Sequence, residues 1–328
     1  MKSILQSVFL FLFLCSTAPN LIAQPSTTAG LQYQLIQSKE TTAPVTSWQF
    51  SKNEGRESLA FFAVEKDRIA RGNDAGQQAI ELSEYHIATI FSKGGNFFAI
   101  LSLDKPVEKS DIPSILSVDI YNHDSEKIYT VQKQQHFDEK HPYVEISDRD
   151  GAMVLGDGSL GQLRFYDKNG DLKTERLLFD DADYGMERSL DIDISGDGSR
   201  IAVTAGKRGA SPANSTAPNP SAEPHLLLFS DAGEELWRKP LPDYSASGVV
   251  ISGDGNYIAA GSYTAGLAEG FRKRSFIFDE GGNERAEIPL LFKYAGVSPD
   301  SRVIILGDNQ TASAVEFTTG SILWQHSI

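Results

Sequence analysis

The stretch ISGDGSRIAV, Ile194 to Val203, returns almost unchanged as ISGDGNYIAA, Ile251 to Ala260. A chain that repeats one phrase at a spacing of tens of residues is built from repeated supersecondary units, so the repeat limits the fold more than any other feature. Weaker copies complete the series: FSKNEGRESLAFFA from Phe50, FSKGGNFFAIL from Phe91, ISDRDGAMVLG from Ile146 and VSPDSRVIIL from Val297. Their serines are Ser51, Ser92, Ser147, Ser195, Ser252 and Ser298, spaced by 41, 55, 48, 57 and 46 residues. Each phrase joins two apolar runs through a polar turn. Its Asp bonds local backbone and its Gly takes a positive φ.

A second phrase follows each of the later copies. LRFYDKNGDLKTERLLF, LLLFSDAGEELWRKPL, SFIFDEGGNERAEIPLL and AVEFTTGSILWQHSI each read as strand, tight hairpin turn and strand. The unit is therefore strand, Ser-x-Asp-Gly turn, strand, variable loop, strand, tight turn, strand. Six such units fit between about Thr46 and Ile328. Short runs such as RVIILG and HLLLFS suit strands buried on both faces. Two alternatives stand beside this reading. One is an open sandwich of similar hairpins. The other is a helical start, because RESLAFFAVEKDRIARG, residues 56–72, also has helix-forming content.

VSPDSRVIIL and ISGDGSRIAV resemble the strand-turn-strand of WD-repeat propellers, and EFTTGSILWQ, Glu316 to Gln325, resembles the Thr-Gly-x-x-x-Trp hairpin of quinoprotein-like propellers. The resemblance implies an all-β fold, a β-propeller of about six four-stranded blades, with seven as the alternative. It says little about activity, because propellers carry many unrelated functions. No unit ends in the Trp-Asp pair of WD repeats, and no set of quinone-cofactor ligands is recognisable. The family geometry implies that the loop between second and third strands opens on one face and that first strands line a central channel.

Residues 1–23 read as a cleaved secretory signal: Lys2, an apolar run from Ile4 to Leu14, and Ala23 before the cleavage point. That run is too short to cross a bilayer. Lipoprotein anchoring through Cys15 is disfavoured because Leu14 is not small. Cys15 is the only cysteine, so residues 24–328 can form neither disulfides nor a cysteine metal site. Residues 24–45 form an N-terminal segment whose LQYQLIQS, 31–38, offers a strand to close the ring on the last blade; residues 46–328 form one propeller domain. The expected location is periplasmic or extracellular. A net charge of −14, or −15 without Lys2, argues against nucleic acid and anionic membranes as partners and leaves a protein or envelope component.

The variable loops are the candidate functional surface. Lys207 to Pro224 is low-complexity and reads as mobile. SYTAGLAEGFRKR, Ser262 to Arg274, reads as an aromatic and basic loop on an acidic chain, and Tyr263, Phe271, Arg272, Lys273 and Arg274 are the candidate partner-binding residues. Its simpler reading is a solvated loop whose cations pair with nearby acids. Asp191 and Asp193 share one face of a first strand, which the resemblance places along the channel, near the acidic run Asp180 to Gly185, and Glu145 occupies the position equivalent to Asp193 in the preceding blade. Clustered carboxylates could hold calcium, but wet channel lining explains them more simply, and no cofactor or metal is expected. DKNGD, Asp167 to Asp171, lacks the closing Glu of a calcium loop and reads as a hairpin turn. The six histidines show no metal spacing, and neither a Gly-x-Ser-x-Gly elbow nor a phosphate-binding loop is present, so no catalytic residue is assigned. A binding or scaffold module is the favoured function. The alternative is an enzyme of hydrolase, lyase or quinoprotein type at the channel mouth.

Overall fold

A computed structural model describes residues 22–26, 32–37, 47–52, 59–64, 68–73, 76–106, 112–135, 142–158, 160–179, 188–207, 224–242, 245–266, 270–290, 292, 294–298, 300–308 and 311–327. All regular structure among them is β-strand. β1 (Ile22–Ser26) and β2 (Gln32–Gln37) form an antiparallel ribbon. Six four-stranded sheets follow in chain order. Sheet I contains β3 (Ser47–Lys52), β4 (Leu59–Val64), β5 (Arg68–Asn73) and β6 (Gly76–Glu81). Sheet II contains β7 (His86–Phe91), β8 (Phe97–Leu103), β9 (Ser114–Asn122) and β10 (Lys127–Gln135). Sheet III contains β11 (Tyr143–Ile146), β12 (Met153–Asp157), β13 (Gln162–Tyr166) and β14 (Leu172–Leu177). Sheet IV contains β15 (Arg188–Ile194), β16 (Arg200–Lys207), β17 (His225–Ser230) and β18 (Glu235–Pro240). Sheet V contains β19 (Ser245–Ile251), β20 (Tyr257–Gly266), β21 (Gly270–Asp279) and β22 (Glu284–Ile288). Sheet VI contains β23 (Tyr294–Val297), β24 (Val303–Gly307), β25 (Thr311–Glu316) and β26 (Ile322–Ser327).

The chain divides into two compact units, residues 1–49 with 61–82, and residues 50–60 with 83–328. The helical alternative for the first unit is set aside. Residues 56–72 do not form a helix: they carry β4 and most of β5, paired from Phe61 opposite Gly72 to Val64 opposite Ile69. The six-residue apolar run Leu59–Val64 suits a short strand better than a helix, which needs more turns to nucleate. The strand within residues 31–38 is β2, which pairs with β1; the fourth strand of sheet VI is β26, paired with β25.

Sheets II to VI, in the second unit, show how the repeat folds. Side chains alternate across a strand, and here the two sets feed different cores. In β12, Met153 and Leu155 pack between sheets II and III, whereas Val154 packs between III and IV. In β17, Leu227 and Phe229 face sheet III, and Leu226 and Leu228 face sheet V. In β20, Ile258 and Ala260 join the core with sheet IV, and Ala259 the core with sheet VI. Sheets III, IV and V are thus covered on both faces by their neighbours, which stabilises a chain without disulfides. Full burial contributes roughly 1.5–3 kcal/mol for each large apolar side chain. Fourth strands are the exception: β14 and β26 are exposed at nearly every position.

The repeated turn works as a small hydrogen-bond frame. Ser195 Oγ donates to Asp197 Oδ1 at 2.6 Å and accepts Arg200 N–H at 3.0 Å, while Asp197 Oδ1 accepts Ser199 N–H at 3.0 Å. Ser252 with Asp254, and Ser298 with Asp300, repeat the pattern. The expectation that Ser195 and Asp197 bond locally is met. The closing hairpins are similarly uniform. Asp167 Oδ1 accepts Asn169 N–H at 2.8 Å and Asp171 N–H at 3.0 Å, as a hairpin turn requires. Trp237 donates its ring N–H to Glu280 O, on the next sheet's hairpin, at 2.8 Å.

One hairpin departs from the rule. Between β9 and β10, Ser125 takes φ +66°, where the closing turns of sheets III to VI use Gly170, Gly233, Gly282 and Gly320. A side chain in that left-handed region costs about 1–2 kcal/mol, part of which is returned by the stiffer unfolded chain. Ser125→Gly should therefore stabilise the protein by about 0.5–1 kcal/mol, read as a higher urea midpoint at unchanged slope.

Candidate functional site

The aromatic and basic segment is not a loop. It is the upper part of a long hairpin in which β20 and β21, ten residues each, pair from Tyr257 opposite Asp279 to Gly266 opposite Gly270. Only the three-residue connection 267–269 lies outside the described residues. The length that set this unit apart is therefore extra strand, consistent with the aromatic and β-branched residues that favour a ladder here. β19 pairs with β20 only as far as Tyr263, and β22 with β21 only as far as Ser275. The last rungs, Thr264 opposite Arg272 to Gly266 opposite Gly270, have no third strand among the described residues.

The five candidate residues share this ribbon. Tyr263 is directly opposite Lys273. Lys273 is exposed, with Asp308 at 3.8 Å, a loose ion pair. Arg274 is tied to its own sheet: its guanidinium lies 3.3 Å from Glu287 and 5.4 Å from the centre of the Phe276 ring. Phe271 and Arg272 occupy the outer rungs. The pairing of cations with nearby acids, weighed above as the simpler reading, holds for Lys273 and Arg274. The low-complexity segment 208–223 and the acidic run 180–185 lie outside the described residues.

A second cluster forms where the first strands of sheets II to V come together. Asp191 and Asp193 lie on the same face of β15. Asp191 Oδ2 accepts Val249 N–H at 2.8 Å, and Asp193 Oδ2 accepts Ile251 N–H at 2.7 Å, so both bind sheet IV to sheet V. Lys93, in the first turn of sheet II, reaches the same place: its Nζ donates to Asp193 Oδ2 at 2.8 Å and to Ile251 O at 2.6 Å. Glu145 on β11 completes the group. It keeps some accessible surface but lies deep among protein atoms, and burial, followed by repulsion from Asp193, raises its pKa well above the usual range. Burial raises Asp191 to about 6. Burial also raises Asp193, against the pull of Lys93 and two amide groups. Asp191 and Asp193, weighed with Glu145 as calcium ligands, thus spend oxygens on backbone amides and, for Asp193, on an ammonium. No group of three or more His, Cys, Asp or Glu side chains arranged to hold a metal occurs among the described residues.

These turns also fasten sheets to one another. Gly196 N–H donates to Gly253 O at 2.9 Å, and Asp254 N–H to Ser301 Oγ at 3.2 Å. In sheet II the turn has no Asp of its own. Asp148 of sheet III takes that place: its Oδ1 accepts Ser92 Oγ–H at 2.6 Å and Asn96 N–H at 3.0 Å, and its Oδ2 accepts the Asn96 side-chain amide at 2.9 Å. Gly94 makes room for it, because a methyl group there would fall 2.1 Å from Asp148 Oδ2.

The sequence matches no family model and no curated protein. Solved structures do match. The Dos1 propeller aligns over 95% of this chain and 74% of its own, at TM-score 0.52 and 8% identity. Hydrazine synthase of Kuenenia stuttgartiensis aligns over 79% and 73%, at TM-score 0.50 and 15% identity. The fold is a β-propeller. At such identities the likeness concerns the fold alone.

In propeller terms each sheet is a blade, and the Ser-x-Asp-Gly phrase is a blade corner. Sequence reasoning missed Lys93 and Asp148, although a signal was present. The residue after the turn serine is Gly196, Gly253 or Pro299 in the last three blades but Lys93 and Asp148 in blades II and III. Among blades II to VI these two charged departures are the ones whose side chains reach into another blade. Also missed was a buried pair between blades II and III, Lys133 on β10 against Asp157 on β12, whose side chains are 6% and 1% exposed.

Proposed function

We propose that this chain is an exported, non-enzymatic propeller that binds a protein or envelope component through the distal part of the β20–β21 ribbon. The carrying observation is the ribbon itself, a two-stranded extension whose outer rungs lack a third strand among the described residues. It bears Phe271, Arg272 and Lys273 on a chain of net charge −14. A local cationic feature on an acidic molecule steers toward acidic partners. The core clusters support a scaffold reading, because they hold this ribbon on a fully packed blade. The first 23 residues support export, with cleavage after Ala23, which amino-terminal sequencing of the mature protein would show directly.

The test replaces Thr264–Arg272 by an Asn-Gly turn and compares partners recovered from envelope extract. Loss of specific partners, with unfolding midpoint unchanged, is the expected outcome. Identical partners for both proteins would remove the ribbon as the binding surface.

A further inference from the structure

We propose that Lys93, Glu145, Asp191 and Asp193 form a proton-operated clasp, in which proton uptake by the buried carboxylates tightens the join between blades II, III, IV and V. The argument begins with charge. Three carboxylates face one ammonium in a largely enclosed space, and a full set of ionised groups would leave uncompensated negative charge in a poorly solvated site. A proton held there relieves the repulsion. The hydrogen bonds show where it belongs. Asp193 already receives Lys93 and the amides of Ile194 and Ile251. Asp191 receives the Val249 amide. Burial raises Glu145, and repulsion from Asp193 and Asp191 adds to it against the pull of Lys93.

The surroundings are accounted for strand by strand. Blade II brings Lys93 and, on β7, His86, whose ring nitrogen is 3.0 Å from Thr89 Oγ1. Blade III brings Glu145, and blade IV Asp191 and Asp193. β19 of blade V has the sequence SASGVVI, which contains no ionisable side chain, and contributes backbone amides and the Ile251 carbonyl.

The sign follows from linkage. A carboxylate whose folded pKa is raised contributes stability that is complete below its unfolded value, near 4, and lost as pH rises through the folded value, about 6 for Asp191. Moving from pH 8 to pH 5 should therefore strengthen folding, by about tenfold in equilibrium constant for one group whose pKa moves from near 4 to about 6. His86 opposes this trend, since burial lowers its pKa and its protonation weakens the fold on acidification. The comparison is therefore made between variants. Wild type and a Glu145→Gln/Asp191→Asn double variant are unfolded in urea at pH 5, 6, 7 and 8. Both amides keep an acceptor oxygen. The variant should have the higher midpoint at pH 8, and its midpoint should rise less on acidification. Equal pH slopes for the two proteins would overturn the clasp. Should the double variant fail to fold, infrared spectroscopy of the wild type decides. A buried protonated-carboxyl band at pH 7, lost under alkaline conditions that leave the fold intact, is expected. Its absence at pH 7 overturns the proposal.

Discussion

Asp157→Ala is expected to cost the fold about 3–5 kcal/mol, because it leaves the Lys133 ammonium buried between blades II and III without its carboxylate. The pair is almost completely enclosed, with Lys133 6% and Asp157 1% exposed, so solvent cannot replace the missing partner. Asp157 Oδ1 also accepts Leu160 N–H at 3.1 Å, and that turn amide would lose its acceptor too. The loss is comparable to much of the stability of an ordinary domain. Urea unfolding should show it at unchanged slope. The double variant Lys133→Met/Asp157→Leu should recover most of it, because an apolar pair of similar volume removes both desolvation costs. A loss below about 1 kcal/mol for Asp157→Ala would mean that water reaches Lys133.

Asp148→Ala is expected to cost about 2–3 kcal/mol, since a hydrogen bond to a charged group contributes about 1.5–3 kcal/mol and Asp148 receives several. Ser92, only 1% exposed, would be left with a buried hydroxyl lacking its carboxylate. The repeat supplies an unusual control. Gly94 occupies the position of Asp197 and Asp254 in the complete turns, two residues after the serine. The Asn96 amide that now reaches Asp148 is the counterpart of the Ser199 amide that reaches Asp197. Gly94→Asp in the Asp148→Ala background should therefore restore the bond within one blade and recover part of the stability. Gly94→Asp in the wild type should instead destabilise, because both carboxylates would claim one space. Additive effects of the two substitutions would contradict this reading.

The blade pattern was legible because repetition is a property of spacing. Six turn serines and four closing hairpins suffice to order twenty-four strands, and the double-sided burial of β12, β16 and β17 follows from their continuous apolar runs. The ribbon was misread for a physical reason. Ser262–Arg274 mixes Gly, Ala and three successive cations, a loop-like composition, yet ladder bonds between β20 and β21 hold it extended. Pairing partners decide that outcome, and a single segment does not reveal them. The same limit hid the contacts of Lys93 and Asp148. Their charge at a Gly or Pro position was visible, but Lys93 and Asp193 stand 100 residues apart. Candidate binding residues were legible only as composition: Tyr263 and Lys273 do fall opposite one another, while Arg274 is engaged by Glu287 and Phe276.

The repeated corners are architecture, and the β20–β21 ribbon is the proposed recognition surface. The most direct measurement places two variants side by side, Asp148→Ala and the ribbon replacement of Thr264–Arg272, reading for each the urea midpoint and the partners retained from envelope extract below that midpoint. The corner variant should lose stability and keep its partners, and the ribbon variant should keep stability and lose them. A ribbon variant that unfolds as early as the corner variant while retaining every partner would contradict the assignment.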